Sequence, residues 1–180
     1  MKKTVLVFSA LLLATTAFAQ DKMITKTGKT TFEASIPAFE EVKAKNDGVT
    51  CVLNPKTGEI ASLALMKGFR FKLALMEEHF NENYIESNTY PKSTFKGKIE
   101  NFDVAVLTEN AKDYTIKGKL ELHGKSKEIT IPAKIRKTEA GIEILSNFSV
   151  NADDFAIIIP SVVKSKVSNK VNVRTEFIVK

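Results

Sequence analysis

Between Tyr114 and His123 the chain alternates without a break. Tyr114, Ile116, Gly118, Leu120 and Leu122 fall on one side, and Thr115, Lys117, Lys119, Glu121 and His123 on the other. A period of two marks a β-strand with one dry and one wet face. The same period, or a short apolar run bounded by turns, recurs at 30–36, 49–53, 60–66, 94–102, 129–135, 142–150 and 171–179. Asn46-Asp47-Gly48, Asn54-Pro55-Lys56-Thr57-Gly58, Gly124-Lys125-Ser126 and Glu139-Ala140-Gly141 read as the turns between them. Strands this short, joined by hairpin-length turns, favour an up-and-down antiparallel barrel or a strongly curved sheet. Eight strands leave room inside a barrel for one slender ligand. The expected class is therefore mainly all-β, an eight-stranded antiparallel barrel with one or two short helices. Residues 151–170 are expected to be irregular or partly helical.

The period changes once, within the stretch from Phe69 to Gly97. Leu73, Met76, Phe80 and Tyr84 lie at helical spacing, with Leu75 and His79 beside the stripe. Asn81, Asn83 and Pro91 then return the chain to an extended form. A short helix with one oily face suits a plug over an apolar interior, or simply the seal on one end of an ordinary core.

Residues 1–19 have the form of a cleavable export signal. Met1-Lys2-Lys3 is basic, Val5 to Ala14 is apolar apart from Ser9, and Ala17-Phe18-Ala19 supplies the small-x-small cleavage pattern. That run is shorter than a membrane span and no later segment approaches one. The expected mature chain is one domain, residues 20–180, in the periplasm. Cys51, the single cysteine, excludes an internal disulfide and reads as a small core residue. The formal charge of +6 becomes +4 once Lys2 and Lys3 leave with the signal. Its lysines alternate with apolar residues, so a nucleic-acid partner is not expected. Lysines on the outer faces also argue against an outer-membrane barrel, which turns apolar residues to lipid.

Catalytic signatures are scarce. Gly28-Lys29-Thr30 resembles the tail of a phosphate loop, but Met23 stands where its first glycine belongs. The two histidines, His79 and His123, come without a cysteine cluster, so no metal site is assigned. Glu77-Glu78-His79 could supply acid and base groups, yet no companion nucleophile is visible; His79 is read as a polar rim residue. Asp153-Asp154 lacks calcium-loop spacing and reads as a turn or helix start. No catalytic residue, metal or cofactor is assigned.

The mature chain resembles the YceI-like family of secreted proteins. The resemblance rests on Thr31-Phe32-Glu33-Ala34, on Glu78-His79-Phe80 through Tyr90-Pro91-Lys92-Ser93-Thr94-Phe95-Lys96-Gly97, and above all on Tyr114 to Lys127 with its His123-Gly124; Asp154-Phe155 matches a late Asp-Phe segment. It spans residues 28–179 and implies an extended, lipocalin-like barrel holding a long isoprenoid chain, such as a quinone or polyprenyl lipid, with a homodimer as one implied assembly. Asn81 stands where many members carry arginine, and Ala156 where glycine usually follows Asp-Phe. Both departures bear on the headgroup end.

Strand parity gives an inward series of Phe32, Leu63, Leu65, Phe95, Ile99, Ile116 and Leu120. Phe69, Phe71, Met76, Phe80 and Tyr84 join it from the central segment as the expected lining of an apolar channel, with His79 at its rim. Burying roughly twenty carbons at about 0.8 kcal/mol per methylene offers ten or more kcal/mol before ordering costs, so such a binder needs little motif chemistry. The first reading is thus a periplasmic carrier or store for an isoprenoid lipid, not an enzyme. Two rivals are a lipid-directed hydrolase or isomerase using His79, and a secreted stress-response or interaction module with a filled core. The carrier reading expects a continuous tunnel with residues 73–84 stoppering one mouth.

Overall fold

The computed structural model describes residues 22–180, so the export signal read in residues 1–19 lies outside the described residues. Nine strands and one short helix follow in order: β1 (Met23–Ser35), β2 (Lys43–Leu53), β3 (Glu59–Leu65), β4 (Arg70–Phe71), α1 (Ala74–His79), β5 (Lys92–Ile99), β6 (Lys112–Leu122), β7 (Lys125–Thr138), β8 (Gly141–Asn151) and β9 (Val167–Val179). Eight of the strands form one ring in the order β1-β9-β8-β7-β6-β5-β3-β2, closed by the pairing of β2 with β1, and β4 is a two-residue addition to β2. Every pairing is antiparallel. The expected eight-stranded barrel is the observed one.

The alternation in β6 survives unchanged. Lys117, Lys119 and Glu121 are exposed, while Ile116 is buried. His123-Gly124 makes the two-residue turn into β7, both residues at positive φ (49° and 69°) with Leu122 paired to Lys125. Such a turn matches the twist of the strands it joins, and glycine at its second position needs no Cβ clearance.

Two turn readings are corrected: Lys125 and Ser126, expected in the turn with Gly124, already lie in β7, paired with β6, and the second lies in β2. Asn46-Asp47-Gly48 does not separate two strands; β2 runs straight through it. Gly28 pairs with Val49 and Thr30 with Asn46, so Asp47 and Gly48 together face Lys29 in a bulge. Asn46 is buried, donating from Nδ2 to Leu65 O (3.0 Å) and accepting on Oδ1 from Gly48 N (2.9 Å). The asparagine thus stabilises an irregularity inside a strand, not a hairpin.

The barrel's two ends differ. At one end Cys51, Leu53, Ile99, Leu107, Ile135, Ile142 and Val179 pack solidly, none more than 7% exposed. Leu107 arrives from the connection after β5, where Asp103 Oδ1 accepts from Ala105 N (2.9 Å) and starts a short 3-10 turn, Val104–Val106. Burial pushes the Cys51 thiol up to about 12, from an ordinary 9.0. The connections at the other end are longer: residues 36–42, residues 66–91 with β4 and α1, and residues 152–166. They surround an opening.

Candidate functional site

A cavity of about 550 Å³ occupies the open half of the barrel. Its floor is Val49, Ile60, Phe95, Ile116, Ile131, Ile144 and Phe177, residues shared with the packed end. The tunnel expected from the sequence is therefore a blind pocket. An interior filled throughout is ruled out by the same volume.

The walls rise strand by strand. Toward the opening β1 contributes Thr30, Phe32 and Ala34; β9 contributes Thr175, Val173 and Val171; β8 contributes Ser146, Phe148 and Val150. Leu120 and Leu122 of β6 and Ser62 and Ala64 of β3 complete the ring. Each set steps by two residues, as inward-facing positions of a strand must.

Phe32 anchors the mouth. Its ring lies 5.2 Å from Phe69, 5.8 Å from Phe71 and 5.3 Å from Phe80, and Phe71 and Phe80 are themselves 5.2 Å apart. Contacts of this kind contribute about 0.5–1.5 kcal/mol each beyond simple burial. They hold α1, whose six residues are too few to be stable alone. Glu77 adds polar fastenings: Arg70 Nη1 to Oε1 at 2.8 Å, and Phe71 N to Oε2 at 3.2 Å. After His79 the helix widens into one π-helical turn, Phe80–Tyr84, closed by Ile85 N donating to Phe80 O (2.9 Å). Such turns are rare and concentrate at functional sites. Here the turn sets Phe80 and Tyr84 toward the cavity.

Of the residues expected to line a channel, Phe32, Phe69, Phe71, Met76, Phe80, Tyr84, Phe95, Ile116 and Leu120 do line the pocket, and so does His79 at its exposed rim. Three do not. Leu65 is 56% exposed and Leu63 shares its outward parity, because Ile60, Ser62 and Ala64 take the inner face of β3. Ile99 points inward but is consumed by the packed end. The cause in β3 is an apolar run on both faces, which leaves parity without a signal and lets a one-residue shift reverse it. The His79 imidazole makes no hydrogen bond to any described residue.

Several lining residues had no sequence signal. Phe39 and Val42 come from the first connection, and Ile157, Ile159 and Val163 from the third, regions without periodicity. His123, given no place at the site by the sequence, ties two of the lips together. Its Nδ1 lies 3.0 Å from Phe155 O and its Nε2 2.8 Å from Glu86 Oε2, with Tyr90 edge-on at 4.4 Å. An ion pair between Lys127 and Asp154 adds a second tie to the third lip. Neither Asn81 nor Ala156 lines the pocket. Asn81 Nδ2 donates to Glu77 O (2.8 Å) within the helical segment, and Ala156 holds a left-handed conformation (φ 55°) after the fully buried Phe155. Among the described residues no group of three or more His, Cys, Asp or Glu could hold a metal ion.

Fold and pocket together define a class: a closed antiparallel barrel with one apolar, single-mouthed internal pocket. The chain belongs to the YceI-like domain family, whose profile matches residues 16–179. Solved structures agree on the fold. A polyisoprenoid-binding domain from Saccharophagus degradans, implicated in plant cell wall breakdown, superimposes with a TM-score of 0.77 at 15% identity, covering 88% of this chain and 97% of that one. BcnA of Burkholderia cenocepacia gives 0.67 at 15% identity, covering 82% and 94%. The YceI protein of Campylobacter jejuni gives 0.60 at 18% identity, covering 81% and 89%. No curated protein matches the chain.

Proposed function

We propose that this protein binds one isoprenoid-type lipid, a prenyl quinone or polyprenyl chain, in the blind pocket. It acts as a carrier or store in the periplasm, to which residues 1–19 direct it. The observation that carries this reading is the apolar cavity of about 550 Å³ above a packed floor. At ~30 Å³ per water-sized unit, that space holds a chain of roughly eighteen heavy atoms, within the usual size of small-molecule sites. A longer prenyl chain extends through the mouth. The neighbour from Saccharophagus degradans, described as polyisoprenoid-binding, supports the ligand class.

Native purification followed by organic extraction and mass spectrometry tests the proposal: a prenyl lipid is expected in the extract, and added geranylgeraniol should be taken up by delipidated protein. Val173→Trp, on the pocket wall, should block uptake while the barrel stays folded by circular dichroism. Clean extracts together with no uptake by folded wild-type protein would overturn the reading.

A further inference from the structure

We infer that the lipid enters head first, with an uncharged hydrogen-bonding headgroup seated on Thr30, Thr175 and Ser146 just above the floor and its tail directed to the mouth. The inference rests on the reading of the pocket as a lipid site. Thr30 pairs with Thr175 across β1 and β9, and Thr175 pairs with Ser146 across β9 and β8, so the three hydroxyl residues form one row on adjacent strands. All three line the cavity. One step deeper lie Phe177 and Ile144 of the floor; one step shallower lie Phe32, Val173 and Phe148. The row is thus a polar band between two apolar layers.

None of the three hydroxyls is hydrogen-bonded to any described residue, and Ser146 is only 4% exposed. These hydroxyls face the cavity, and one that loses water to an apolar ligand without gaining a partner is unfavourable relative to an apolar residue of the same shape. Valine or alanine would fit these positions, so the band makes physical sense if something polar reaches it. Thr175 lies eight residues along β9 from Val167 at the mouth, about 26 Å of strand at ~3.3 Å per residue. Hydroxyls both donate and accept, which suits a quinone carbonyl or a prenol hydroxyl. They do not suit a diphosphate: among the described residues the only lysine or arginine lining the pocket is Lys166, exposed at the mouth, and an anion at the floor would be buried unpaired.

The test compares geranylgeraniol, the saturated hydrocarbon phytane and geranylgeranyl diphosphate by equilibrium dialysis against delipidated protein. In the triple variant Thr30→Val, Thr175→Val, Ser146→Ala, geranylgeraniol binding should weaken about tenfold, the loss of one to two net hydrogen bonds. Phytane binding should hold or tighten, which also shows that the pocket is intact. Thr175→Val alone should move in the same direction by a smaller factor. For wild type, the diphosphate should bind more weakly than the alcohol. Equal weakening for alcohol and hydrocarbon, no change for either, or a tighter diphosphate overturns the head-first arrangement. Wild-type protein that takes up phytane but not the alcohol overturns it while sparing the lipid site. Uptake of none of the three removes both.

Discussion

Replacing Gly118 by alanine should destabilise this protein, although general propensity argues the opposite. Glycine inside a strand is unfavourable by about 0.5–1 kcal/mol relative to alanine, so a reader of the sequence alone would expect a gain. In the barrel Gly118 pairs with Gly97 across β5 and β6, and the ring of Phe95 lies over both. A Cβ at position 118 would overlap Lys96 O, stand 2.5 Å from Gly97 Cα and 2.8 Å from Phe95 Cζ. Ordinary contact begins at 3.4 Å, so β5 and β6 must part by nearly an ångström. Two of the three obstacles are backbone atoms that cannot rotate aside. Overpacking of this kind costs about 1–3 kcal/mol, and subtracting the propensity gain leaves a net loss of about 1–2 kcal/mol. For a domain of this size that lowers Tm by about 2–8 °C. Thermal unfolding followed by circular dichroism, with urea titration as a second measure, reads the loss directly. Phe95→Leu in the same chain should recover only a minor part, since it relieves one contact of three. A Gly118→Ala protein as stable as its parent would refute the steric argument.

Two other positions make sharp predictions. Cys51 should not react with Ellman's reagent at pH 8 while the protein is folded, and should react promptly in guanidinium, because burial holds its thiol at about 12. The folded state keeps a proton that the unfolded chain loses near 9.0, so this residue makes stability fall as pH rises from about 9 toward 12; a Cys51→Ala variant should show less of that decline in urea titrations at pH 8 and 10.5. Ala156→Gly should raise stability, since alanine at φ 55° carries left-handed strain of about 1–2 kcal/mol; allowing for glycine's greater unfolded-state freedom, Tm should rise by about 2–4 °C, and a fall would show that the strain is not there.

The strand pattern was legible wherever one face is wet. In β6 the lysines at 117 and 119 fix parity, and the barrel's inner surface follows from it. In β3 no charged residue separates the faces between Ile60 and Leu65, and the parity came out reversed; Ser62, the one polar residue there, faces inward. The bulge at Asp47-Gly48 looked like a turn because turns and bulges recruit the same residues for the same backbone freedom. The helix was visible as a stripe, but its π-helical turn was not, since one residue's worth of widening leaves no trace in spacing. That the interior is hollow at one end and filled at the other depends on how side chains of eight strands meet, which no single strand encodes. The third lip, residues 152–166, is set by tertiary ties such as His123 to Phe155 O.

The closed floor has a kinetic consequence. With a solid layer of Ile99, Ile135 and Val179 behind the pocket, a lipid bound as proposed would have to enter and leave by the same mouth. A newcomer cannot push the occupant out from behind, so turnover must be sequential: departure, a vacant interval, then reloading. On the carrier reading, the dwell time of one guest would therefore limit how quickly the next can board, whatever the supply.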